Sequence, residues 1–136
     1  MLEMINTGSV ELTAPQIIPF AAVTFNTNDN VSGNPATGVA SITTPGLYRV
    51  TGTFVIEATA EGNVTVSMLA DGTAEPGATA EFSAAAANTI ETLEITKLIQ
   101  VDAAAAGNVA QISFQAVSGS AAATMLNAVM QVEYIE

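Results

Sequence analysis

Apolar and polar residues alternate with period two along most of the chain, the spacing of β-strands that bury one side each. In the stretch YRVTGTFVI, Tyr48, Val50, Phe54 and Ile56 share a face with Gly52 among them, and Arg49, Thr51 and Thr53 share the opposite one. The same pattern sets Val64, Val66, Met68 and Ala70 on one side of NVTVSMLA, and Ile112, Phe114, Ala110 and Ala116 on one side of VAQISFQAV. A fourth stripe runs through Leu126, Ala128, Met130, Val132 and Tyr134. Strands with one apolar side must pair face to face as two sheets, or close as one sheet on itself.

Between the stripes lie clusters of Gly, Asn, Asp and Pro that read as turns: 26–38, TTPG at 43–46, AEGN at 60–63, DGTAEPG at 71–77, DAAAAGN at 102–108 and VSGSAA at 117–122. Their spacing is that of an antiparallel sandwich. The two alanine runs favour helix on propensity, but each is about four residues long between turn formers, too short to nucleate one. No heptad, collagen repeat or internal duplication defines a second domain. The sequence therefore reads as a short N-terminal segment over residues 1–7 and a single domain over residues 8–136. The opening MLEMINTGSVEL either anchors the chain to something larger or forms the first strand, and its alternation favours the strand.

Composition narrows the chemistry. With 136 residues, 49% of them hydrophobic, the chain suits one domain with one core. It has no cysteine and no histidine, so disulfides, thiol nucleophiles, soft-metal sites and histidine acid-base catalysis are excluded. Thirteen acids against two bases, Arg49 and Lys97, give a net charge of −11. Nucleic-acid binding needs several cations to displace phosphate counterions, and this chain has almost none. No run approaches the roughly 20 apolar residues of a membrane helix, and no basic leader precedes an apolar segment, so a chain made without a signal peptide and without membrane insertion is expected. The sequons at Asn30 and Asn63 matter only in a secretory pathway and are taken as accidental.

Few residues are arranged for chemistry. Asn26, Asn28, Asp29 and Asn30 offer oxygen ligands to calcium, although one carboxylate is a poor start and Asn and Asp are ordinary turn formers. Glu91 with Glu94, and Glu133 with Glu136, are pairs of acids that read as solvated side chains. A serine nucleophile would have only Lys97 as its base. No catalytic residue and no cofactor are expected.

The segment PGLYRV at 45–50, entering a long strand, resembles the Pro-Gly-x-Tyr segment of the C1q and tumour necrosis factor-like jelly rolls. Phe20 lies six residues before Asn26, as an early Phe and Asn do in the C1q pattern. Val31 stands near the place of the aromatic that usually follows, and Ala40 to Ile42 where a Phe usually precedes the Pro-Gly turn. With few aromatics and alanine-rich strands, the chain is similar to the C1q-like domains of phages, prophages and bacterial spore-surface filaments. The resemblance implies an all-β, antiparallel two-sheet jelly-roll sandwich that forms a homotrimer. It also implies a non-enzymatic structural virion protein, a head fibre or capsid decoration on the virion surface, made in the bacterial host cytoplasm, with a major capsid protein as a further partner.

In the resembled fold the outer side of the long strand looks toward the threefold axis. Leu47, Arg49, Thr51, Thr53 and Val55 are then the expected trimer interface, with Arg49 paired to Glu91, Glu94 or Glu133 of a neighbouring subunit. The alternative is an arginine on a solvated sheet face. A carbohydrate- or receptor-binding module is the second functional reading, since jelly rolls often carry sugars in loop grooves. Against a surface glycan stand the absence of Trp and the placement of both tyrosines in apolar stripes.

Overall fold

The computed structural model describes residues 1–12, 15–27, 30–102, 110–118 and 123–136. In it, the long alternating stretches become long antiparallel strands: β7 (Gly46–Ala58), β8 (Gly62–Ala70), β9 (Thr73–Ala84), β10 (Thr89–Val101), β11 (Ala110–Ser118) and β12 (Ala123–Tyr134). Shorter ones precede them: β1 (Leu2–Asn6), β2 (Val10–Leu12), β3 (Gln16–Ile17), β4 (Ala22–Asn26), β5 (Val31–Asn34) and β6 (Val39–Ile42). The first sheet has the order β10-β7-β12-β1-β4, with β2 also on β12. The second has the order β5-β6-β11-β8-β9, with β3 also on β11. Sequence-distant strands lie side by side, and all the pairings are antiparallel, as in a jelly roll. Among the described residues no helix is long and apolar enough to cross a membrane.

The expected stripes face inward. Tyr48, Val50, Phe54 and Ile56 meet Val64, Val66 and Met68, with Ile112, Phe114 and Ala116, in one core of fully buried side chains. Each large one contributes about 1.5–3 kcal/mol by leaving water. Gly52 has its place in this core for a steric reason. A Cβ there would stand 2.6 Å from Cζ of Phe114 and 2.8 Å from the ring of Phe54. The missing side chain lets the two rings pack edge to face at 5.0 Å.

Three local readings are corrected. Leu126 does not face the core: the register of β12 against β7 shifts between Met125 and Asn127, which turns Met125 inward and leaves Leu126 half-buried. DGTAEPG is not one long turn. Asp71 and Gly72 alone make the tight β8–β9 hairpin, both with positive φ (52° and 81°), and the rest belongs to β9. Pro76 is tolerated because β9 is an edge strand, and Ser67 pairs Thr79 whereas Leu69 pairs Ala74, so the segment around Pro76 bulges out of register. Nζ of Lys97, on β10 of the other sheet, donates to the Pro76 carbonyl at 2.9 Å and ties the bulge across the sandwich. Finally, the supposed loop at 26–38 contains a strand, β5, hydrogen-bonded to β6.

The boundary drawn after residue 7 falls in the turn between β1 and β2, and both of these strands pair with β12.

Candidate interaction surface

With the inner faces committed to the core, the two outer faces carry whatever the molecule presents. On the first sheet, strand alternation puts Leu47, Arg49, Thr51, Thr53 and Val55 outward on β7. Arg49 is exposed and the other four are half-buried. Register extends this face sideways. Thr53 stands beside Val129 of β12, which stands beside Ile5 of β1, and Val55 stands beside Thr92 of β10. The centre of the face thus holds Thr53, Val55, Val129 and Ile5, with Glu94 of β10 beside Thr53 and Asn127 of β12 beside Val55.

Arg49 lies directly across from Glu133 on β12, and Nη1 reaches Oε2 of that carboxylate at 3.4 Å. Within the chain, Glu133 on the adjacent strand is thus the acid beside Arg49. The contact is a single long one, and both side chains are open to solvent (47% and 40% exposed), so it contributes at most about 1 kcal/mol. One step along, Glu3 is held more tightly. Its Oε1 accepts from the Thr24 hydroxyl at 2.7 Å and its Oε2 from the Gln131 amide at 2.6 Å. Of the other candidate acids, Glu91 and Glu94 sit on opposite faces of β10, opposite Ile56 and Thr53 respectively.

Every exposed large hydrophobic side chain among the described residues belongs to the first sheet or its end. They are Val23 and Phe25 on β4, Ile90 and Leu98 on β10, Tyr134 on β12 and Ile135 just beyond it. β4 and β10 are the two edges of that sheet. The sequence pattern did not single out these residues, because only the strand order shows which strands are edges. The signal available was Ile90 and Leu98 at outward positions of β10 that otherwise carry Thr92, Glu94, Thr96 and Gln100.

The second sheet presents a different surface. Between β8 and β9 its outward side chains bond in rungs: Ser83 to Asn63 at 2.6 Å, Thr65 to Glu81 at 2.8 Å and Ser67 to Thr79 at 3.1 Å. Hydroxyls, an amide and a carboxylate satisfy one another across the strands there.

The Pro-Gly-x-Tyr segment is structural. Gly46 has φ 153°, and a Cβ there would meet the Tyr134 ring at 2.6 Å. Tyr48 turns its hydroxyl back to the Thr44 carbonyl at 2.8 Å and packs edge to face on Tyr134 at 5.3 Å. Burial raises the pKa of the Tyr48 hydroxyl, and the neighbouring Tyr134 raises it further. Of the calcium candidates, Asn28 and Asp29 lie outside the described residues. The Asn26 amide donates to the Val31 carbonyl at 2.7 Å, and Oδ1 of Asn30 accepts from the Thr44 hydroxyl at 2.7 Å. Among the described residues no cluster of three or more His, Cys, Asp or Glu could hold a metal ion.

This is a two-sheet jelly roll of the C1q and tumour necrosis factor type, and solved structures share it over nearly the whole chain. The globular domain of zebrafish complement 1qA protein superposes with a TM-score of 0.72 at 12% identity, over 99% of this chain and 96% of that one. The Eiger TNF of S. frugiperda superposes with a TM-score of 0.77 at 7% identity, over 99% and 91%. The PRD1 vertex protein P5 superposes with a TM-score of 0.58 at 13% identity, over 99% and 96%. No protein-family model and no curated protein sequence matches the chain. At these identities the likeness is one of fold.

Proposed function

We propose that the protein is a non-enzymatic, homotrimeric structural component of a phage particle, displayed on the capsid surface as a decoration or head fibre. The observation that carries this reading is the confinement of the six exposed large hydrophobic side chains among the described residues to one sheet and its end. Three of them, Phe25, Ile90 and Leu98, lie on the outer face, and a trimer that covers this face would bury them and display the polar rungs of the second sheet. The resemblance of PGLYRV to the C1q-like domains of phages supports the assignment, and so does the shared fold of a phage vertex protein. A net charge of −11 suits a particle surface that stays soluble and repels nucleic acid.

Deleting the gene from the phage that encodes it and imaging purified particles tests the proposal. Capsids of normal size lacking one set of surface projections are expected. Failure of any capsid to assemble would assign the protein to the shell itself, and particles unchanged in outline and protein content would place it off the virion.

A further inference from the structure

Among the described residues, Asp71 and Asn88 are the non-glycine residues with positive φ, 52° and 64°. Each has a side-chain carbonyl carbon that the backbone nitrogen of the next residue can attack, closing a five-membered succinimide ring. After Asn88 comes Thr89, whose branched side chain shields that nitrogen. After Asp71 comes Gly72, which has no side chain, and a Cβ built there would meet nothing within 4 Å. Both Asp71 and Gly72 are exposed to the water that such a ring consumes when it opens.

The folded hairpin opposes this reaction in two ways. Positive φ at both residues of the two-residue loop, 52° and 81°, defines a type I′ turn. At the first central position of such a turn ψ is about +30°. Ring closure needs the Asp71 Cβ and the Gly72 nitrogen nearly eclipsed about the Cα–C bond, and this ψ sets them nearly anti. The side chain is also tied down. Oδ1 of Asp71 accepts from the Gln111 backbone N–H at 2.8 Å, and the Asp71 N–H donates to the Gln111 carbonyl at 2.8 Å. The carboxyl is thus held toward β11.

On the β9 side only two pairs, Ala70 with Thr73 and Leu69 with Ala74, separate the tip from the bulge around Pro76, where the register breaks. Local opening costs least at such loop tips. Once the tip leaves Gln111, the Asp71 Cα–C bond is free to rotate and the Gly72 nitrogen reaches Cγ.

We propose that Asp71–Gly72 is a self-modification site, latched shut by Gln111 in the folded hairpin and released when the tip opens. The bond from the Gly72 nitrogen to Cγ forms as the amide proton and the carboxyl hydroxyl leave as water, with no change in oxidation state. Water then adds to one of the two ring carbonyls. Addition at Cγ breaks the new bond and restores aspartate. Addition at the Asp71 backbone carbonyl breaks its bond to nitrogen and leaves isoaspartate, whose main chain runs through Cβ and Cγ. That chain is one carbon longer in a loop of two residues, so the type I′ turn and both contacts with Gln111 are not recovered. The site is independent of the virion role proposed above.

The test follows isoaspartate at position 71, by enzymatic methylation and electron-transfer fragmentation, in chain held at neutral pH with and without denaturant. The denatured chain is expected to accumulate it, and the native chain to do so at least about tenfold more slowly. Gln111→Pro removes the N–H that holds Oδ1 and is expected to move the native rate toward the denatured one. In wild type at low denaturant, the isoaspartate rate is expected to rise in step with hydrogen exchange of the Asp71 amide. A denatured chain that stays unmodified would overturn the site, and equal native and denatured rates would overturn the latch. So would a folded Gln111→Pro variant at the wild-type rate. If that variant does not fold, the exchange comparison decides: an isoaspartate rate that stays flat while Asp71 exchange rises would overturn the latch.

Discussion

The two outer faces of the sandwich are made from the same alternation and end up with opposite chemistry. On the second sheet, Asn63, Thr65 and Ser67 each bond a partner on β9, and among the described residues none of the exposed large hydrophobics lies there. On the first, Ile5, Thr53, Val55 and Val129 lie together between edges that carry Phe25 on one side and Ile90, Glu94 and Leu98 on the other. Period two decides which side chains leave the core; it does not decide what they meet outside. In the proposed trimer, one face is finished when the chain folds and the other when copies assemble.

The largest effect that bears on this contrast comes from a charge placed at the centre of the first sheet. Val129→Glu is expected to weaken association by about a hundredfold or more, since burying an unpaired carboxylate costs several kcal/mol. Thr65→Glu on the second sheet is expected to leave it unchanged. Sedimentation equilibrium on both variants reads the result, and equal effects would erase the distinction between the faces.

A smaller effect concerns the end of the first sheet, where Tyr48 bonds Thr44. Its raised pKa means that the folded state holds the phenolic proton more tightly than the unfolded one does. This contribution is fully present below the ordinary tyrosine pKa of 10.0 and is lost as pH rises through the folded value. Thermal melts above pH 10 are expected to show falling stability in the wild type and a flatter curve in Tyr48→Phe. At neutral pH the same substitution is expected to cost about 0.5–1.5 kcal/mol, the net contribution of one hydrogen bond.

Arg49→Ala is expected to have a smaller effect. Because the Arg49–Glu133 pair is exposed within the single chain, its loss is expected to change the stability of the dissociated subunit by about 0–1 kcal/mol in a denaturant titration, and to cost more in the proposed trimer, whose contact face holds the pair. A loss of several kcal/mol would mean that the pair is buried by a neighbouring copy. The smallest effect is expected of Glu81→Ala, which removes one rung from the second sheet and is expected to stay within about 0.5 kcal/mol of wild type.

Much of the fold was legible in the chain, for a physical reason that also sets the limit. Tyr48, Val50, Phe54 and Ile56 declare their face locally, because alternation needs no knowledge of the partner strand. The Pro-Gly-x-Tyr segment was legible as a motif, and its cause became visible only with Tyr134 packed on Gly46. Leu126 was misassigned because a bulge shifts the alternation, and nothing within β12 announces it. The partner of Arg49 depended on a register joining residues 84 positions apart. Local pattern carries no such information. The exposed Leu98 and Phe25 were hidden for a related reason: whether a strand is an edge depends on the order of the whole sheet.

The most direct test compares the reactivity of two engineered thiols, Thr53→Cys on the outer face of the first sheet and Thr79→Cys on that of the second, each in the native assembly and in denaturant. If copies meet on the first sheet, Cys at position 79 will react at close to its denatured rate while Cys at position 53 reacts at least about tenfold more slowly than its own denatured control. Equal protection at the two positions in the native protein would contradict the account.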